Sequence, residues 1–298
     1  MLDPYALGAA LYVPATHPAL SEIITGQKLL HVRTIIICLE DAVADRDLGA
    51  ALANLQRGLR SQVRAVSRHL FVRVRNPQIM REVLAMPGVE SLNGFVLPKI
   101  TADNLSKYLR QLPDGMQVMP TIETREAFCD RKMDALCRKL EAGASRERVL
   151  ALRIGGNDLL ALLRMRRPVG ATIYDTPVGH VIARLSTRFI PHGFALSAPV
   201  FEYMNDFATL EREITADLNH GLVGKTAIHP DQVPIIERCY RVSPHDAHDA
   251  ARILDDNAPG VFASRGAMCE PATHRPWAAA VLRNARHYGQ AETRTGTN

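Results

Sequence analysis

Aromatic residues make up only 5% of this 298-residue chain, with a single tryptophan among them. Stacking platforms for bases are therefore not expected. A net charge of +5 is also too modest, over this length, to argue for nucleic acid. The five cysteines (Cys38, Cys129, Cys137, Cys239 and Cys269) are odd in number, and no two stand in a Cys-x-x-Cys spacing. A disulfide framework or zinc cluster is not expected, and a reducing cytoplasm is the expected location. The first residues, MLDPYALGAALYVPATHP, lack a basic stretch followed by a long apolar core, so no secretory signal is expected. No run of about 18 apolar residues occurs, which predicts neither a membrane span nor a membrane partner. Also missing is a glycine-rich fingerprint after the first apolar run, VPATHPAL, which argues against an open dinucleotide-binding sheet.

What the chain does have is a series of short apolar runs with longer amphipathic stretches between them. Strands are predicted at 10–14, 33–39, 69–74, 94–98, 117–122, 150–154, 195–200 and 224–228. Their residues are apolar in succession rather than alternately, as in strands buried on both faces. The spacing predicts a helix over 48–67, with Leu48, Leu52, Leu55, Leu59 and Val63 on one stripe, and another over 124–142. Eight strands joined by crossover-length connections predict a TIM (β/α)₈ barrel with a C-terminal helical extension. The expected division is a barrel over 1–230 and an extension over 231–298. In the extension, Ser243 and Pro244 mark a helix start. A hairpin, a last helix and a disordered polar tail, QAETRTGTN, are expected to follow.

The stretch TIIICLEDAV poses the functional question, because an apolar strand ends on two acids, Glu40 and Asp41. The other predicted strand ends are charged too. Strand three carries Arg73, Arg75 and Asn76 at its end, Lys99 follows strand four, Glu123 strand five and Asp158 strand six. Lys225 and His229 bracket strand eight. In a barrel these ends converge on one mouth. Acids and bases from different strands meeting there call for a cation or an anionic ligand to organise them. Carboxylates without a His or Cys cluster favour a hard cation such as Mg²⁺. Glu123 and Asp158, at the ends of consecutive strands, are the best pair for it. Each residue also has a plainer role: Glu123 as a helix-start acid, Asp158 as an N-cap, Arg73 as an ion-pair partner of Glu40, Lys99 as a solvated loop residue, Lys225 as a structural salt-bridge partner, His229 as a capping or packing histidine.

The motifs LYVPATHP, CLEDAV, FVRVRNP, VLPKI, PTIETREA, RIGGNDL and GKTAIHPDQV, in this order, resemble the citrate lyase β-subunit family of the HpcH/HpaI aldolase superfamily. The resemblance spans about residues 10–240. It implies a homotrimeric or hexameric barrel that makes or breaks carbon–carbon bonds with Mg²⁺, on a small anionic substrate that is in many members a CoA thioester. By motif, Glu123 and Asp158 match the metal-binding carboxylates, and Arg73 the arginine that contacts substrate. Glu40 and Asp41 match the acidic pair beside the metal's waters, and Lys99 and Lys225 are candidate substrate-binding residues. The chain departs from the family pattern at Thr16, His17 and Pro18 after strand one, at Arg75, at the GGNDL stretch, and at Pro199, where an Asp is expected. The implied mechanism passes through a stabilised enolate, with the general base left open. The rivals are a pyruvate-releasing class II 2-dehydro-3-deoxy acid aldolase and a non-catalytic barrel that binds an organic acid.

Overall fold

The computed structural model describes residues 1–61, 68–143 and 145–292. Eight parallel strands form one sheet: β1 (Ala9–Pro14), β2 (Thr34–Cys38), β3 (His69–Arg73), β4 (Gly94–Leu97), β5 (Gln117–Ile122), β6 (Leu152–Ile154), β7 (Leu196–Ser197) and β8 (Lys225–Ala227). The order is β7-β6-β5-β4-β3-β2-β1-β8, and a parallel bridge between Ala198 and Lys225 brings β7 beside β8. The sheet thus closes into a TIM barrel with a C-terminal helical segment after it. All eight predicted strands are present.

The apolar runs are buried as their composition requires. Ile35, Ile36 and Ile37 are all at 0% exposure, with neighbours in β1 and β3 and the barrel interior on one face. Leu7, Ala10, Ile36, Phe71, Val96, Met119, Leu150 and Ala151 form that interior. The strand over 195–200 is reduced to two residues, because Pro199 has no N–H to donate to a ladder. The helix predicted over 48–67 runs over Leu48–Leu59, and its continuation, including Val63 and all of 62–67, lies outside the described residues.

Two compact units divide between Pro234 and Ile235. In the second, the Ser243 side chain accepts from the Asp246 N–H and so caps the helix Pro244–Leu254. A hairpin, β9 (Phe262–Ser264) with β10 (Ala267–Cys269), precedes the helix Pro271–Tyr288. Ala250, Ile253, Phe262 and Ala278 are its small core. Residues 293–298 of the polar tail lie outside the described residues. Among the described residues, no helix is long and apolar enough to cross a membrane.

Candidate active site at the barrel mouth

The C-terminal strand ends surround a cavity of about 240 Å³. Tyr12 from β1, Arg73 from β3, Thr121 from β5, Arg153 from β6 and Thr226 from β8 line it, with Asp41 and Glu123 from the loops that follow β2 and β5, and Asp158 from the first turn of the helix Gly156–Leu162 after β6. Arg73 organises the acids. Its Nε donates to Glu40 Oε2 at 2.8 Å, and its Nη2 to Asp41 Oδ2 at 3.0 Å and to Glu123 Oε1 at 3.2 Å. The Glu123 side chain is wholly buried. The loop carrying Glu40 and Asp41 is itself clamped, because Arg75 donates to the Leu39 and Val43 carbonyls and pairs with Asp45. Arg75, a departure in the sequence, is thus a brace for the acidic pair.

Lys99 sits in a left-handed conformation, with φ of 51°, which is costly for a residue with a Cβ. In this conformation its backbone N–H donates to Glu123 Oε1 at 2.8 Å, while its ammonium donates to Glu40 Oε1 at 2.5 Å. It lies half exposed beside the acids and is not part of the cavity wall.

The double glycine of GGNDL has a steric reason at each position. A Cβ on Gly155 would run into the Glu123 carboxylate, and one on Gly156 would lie 2.9 Å from Pro199 Cβ. Gly155 therefore makes room for a functional carboxylate, and Gly156 for the proline that replaces the expected Asp. Gly155→Ala should cost about 1–3 kcal/mol in denaturant unfolding, as overpacking does. Gly49→Ala, where nothing lies within 4 Å in the helix Leu48–Leu59, should be neutral or stabilising.

Burial pushes the Glu123 carboxyl up to about 7, and the Asp158 carboxylate adds to the effect against the opposing pull of Arg73. The Glu123 and Asp158 carboxylates, on one cavity wall that no described His lines, fit a hard divalent cation. Mg²⁺ needs only one or two protein carboxylates. Glu40 differs from Asp41. Burial disfavours its charge, but the hydrogen bond with Asp41 and the charges of Arg73 and Lys99 outweigh this and hold it at about 2. Burial first, then the hydrogen bond and charge of Glu40, raise Asp41 to about 6.

Lys225 requires a correction. It is fully buried at the start of β8 and does not line the cavity. Its Nζ donates to Glu213 Oε1 at 2.9 Å and Asp217 Oδ2 at 2.7 Å, both on the helix Phe207–Asn219. Arg167 pairs with Glu213 and, at 2.9 Å, with Glu202, and donates to the Val200 carbonyl at 2.8 Å. This ionic network holds the 200–202 segment, whose Val200 and Glu202 line the cavity. Lys225 is a prop behind the wall rather than a substrate ligand. His229 Nδ1 accepts from the Asp231 N–H at 3.3 Å, a local turn contact outside the cavity.

Arg153 is the residue that the strand pattern did not bring out. It is 2% exposed and reaches across the barrel to Thr226 and the Tyr12 ring. The signal was a lone arginine inside the apolar run LALRI, where every neighbour is buried.

The family model for C–C bond lyases of the TIM-barrel fold matches residues 1–290. The chain belongs to this C–C bond lyase family. The human mitochondrial citramalyl-CoA lyase is 26% identical over 205 residues, 65% of this chain. That match spans 57% of the human protein's length. Among solved structures, CitE from Mycobacterium tuberculosis, in complex with magnesium, acetoacetate and coenzyme A, superposes with a TM-score of 0.69 at 22% identity. The superposition covers 94% of this chain and 98% of that one. The Haloferax volcanii malate synthase gives 0.64 at 16% identity, over 76% and 72% of the two chains. At these identities the structures show that the C–C bond lyase chain shares their fold.

Proposed function

We propose that this C–C bond lyase is a Mg²⁺-dependent enzyme of the citrate lyase β type that cleaves an anionic hydroxy acid at the barrel mouth. The observation that carries this reading is the convergence of Glu123 and Asp158, from consecutive strand ends, on the cavity wall that also holds Arg73. Glu123 and Asp158 would hold the metal. Bound there, Mg²⁺ would supply Lewis-acid polarisation of the carboxylate and of the hydroxyl oxygen that becomes the carbonyl of the 2-oxo fragment.

The chain's own groups provide the rest. Cleavage beside a hydroxyl requires that its proton leave and that the electron pair of the broken bond be held as an enolate. Arg73, fixed by Glu40, presents a planar cation to the developing negative charge. Asp41 lines the cavity and has the raised proton affinity, which suits it to take the hydroxyl proton. Glu40 stays ionised and orients Arg73 and Lys99.

The name of the human relative, a citramalyl-CoA lyase, supports a short acyl-CoA thioester as the substrate form. Assembly as a homotrimer or hexamer and a cytoplasmic location belong to the same reading. The test is a turnover panel of citramalyl-CoA, malyl-CoA, the corresponding free acids and, for the reverse direction, pyruvate with aldehydes. At least one should be cleaved or formed with Mg²⁺, and EDTA should abolish the rate. Turnover that survives metal removal, or none across the panel, would speak against the lyase reading.

A further inference from the structure

Among the described residues, the buried cations of this barrel are matched, with one exception. Arg73 faces Glu40, Asp41 and Glu123, and Arg167 faces Glu202 and Glu213. Lys225 faces Glu213 and Asp217, and Arg68 donates to the backbone carbonyls of Ile23, Lys28 and Leu29. Arg153 has neither acid nor carbonyl. Among the described residues its contacts are the Thr226 hydroxyl, the Met119 thioether at 3.8 Å, and the face of the Tyr12 ring at 5.5 Å. All of these are neutral, and a guanidinium offers five N–H donors. A cation taken out of water without a counter-ion costs several kcal/mol. A fold that matches its other buried cations would keep this one only for a ligand that brings the charge.

A second observation points into the same place. Thr121, the register partner of Arg153 on β5, is 2% exposed, and its Oγ1 has no hydrogen-bond partner among the described residues. Both residues line the cavity that holds Glu123 and Asp158. An unmatched cation and an unmatched hydroxyl, side by side in its wall, form a receptor for an oxyanion.

We propose that Arg153 and Thr121 form a second anion subsite, which binds a carboxylate on the arm of the substrate remote from the bond that breaks. The substrate then carries one carboxylate more than the group held by Arg73 and the metal pair, so the enzyme selects diacids over monoacids. This rests on the lyase reading for the position of the first carboxylate. The planar fork of Arg153 can take a carboxylate through two parallel hydrogen bonds, with the Thr121 hydroxyl as a further donor.

Titration calorimetry of the full chain with Mg²⁺ tests it, using lactate against malate and 2-hydroxyglutarate, which keep the hydroxy-acid head and add a carboxylate arm. The wild type should bind at least one diacid about tenfold tighter than lactate, as a hydrogen-bonded charged group contributes. Arg153→Met should abolish that advantage, leave lactate within about threefold, and keep or raise the thermal midpoint, since it removes an uncompensated buried charge. A retained advantage in Arg153→Met, no advantage in the wild type, or a markedly lowered midpoint would each overturn the subsite. Glu123→Gln separates the two ideas, because it should remove Mg²⁺-dependent binding of every acid. If diacid binding survives Glu123→Gln and still needs Arg153, the subsite stands and the lyase reading falls.

Discussion

Arg73→Met should lower kcat/KM by about 10²–10³-fold, the usual loss when a preorganised donor to developing charge is removed. It should also destabilise the protein when no metal is present. Arg73 stands between Glu40, Asp41 and Glu123, and without it three acids lose the cation they share. Breaking such a buried pairing costs about 3–5 kcal/mol. Added Mg²⁺ should recover part of the stability but not the rate, because a cation at Glu123 and Asp158 relieves the repulsion without replacing the guanidinium. Denaturant unfolding with and without Mg²⁺, beside steady-state kinetics, reads both effects. Equal stability of wild type and variant without metal, or a rate within threefold of wild type, would remove Arg73 from the centre of the site. Arg73→Lys should behave like Arg73→Met in rate, since a point charge cannot hold Glu40 and Glu123 at once in the geometry of the fork.

Lys225→Met should have its large effect on stability, about 3–5 kcal/mol, because it strands Asp217 in a site with no solvent and leaves Glu213 with Arg167 alone. Urea unfolding would show the loss. Pairing the change with Asp217→Leu should recover part of it, since removing both partners takes away the stranded charge. For the folded fraction, KM should stay close to that of the wild type. A raised KM at unchanged stability would be the opposite outcome and would return Lys225 to the substrate.

The eight strands were legible because barrel strands are buried on both faces, and runs such as RTIIICL have no other stable place. Their charged ends were legible for the same reason, since acids cannot end a buried strand without a shared mouth to receive them. Lys225 misled because its motif, GKTAI, puts it at the first residue of β8, one layer below the mouth. The compensating acids, Glu213 and Asp217, lie one helical turn apart in a different segment, and only the packed fold shows them facing a lysine. Arg153 escaped notice for the converse reason. One arginine in an apolar strand reads as a side chain turned outward, and the closed barrel turns this one inward onto Tyr12 and Thr226. The glycines of GGNDL were read as a departure in a motif, and their necessity lies in two neighbours distant in sequence, Glu123 and Pro199.

The central claim is that Glu123 and Asp158 hold one divalent cation at the barrel mouth. Mn²⁺ in place of Mg²⁺, followed by electron paramagnetic resonance during titration, tests it most directly. The wild type should bind one Mn²⁺ per chain, displaceable by Mg²⁺, and Glu123→Gln and Asp158→Asn should each lose that binding while remaining folded by circular dichroism. Wild-type affinity for Mn²⁺ in either folded variant would contradict the account.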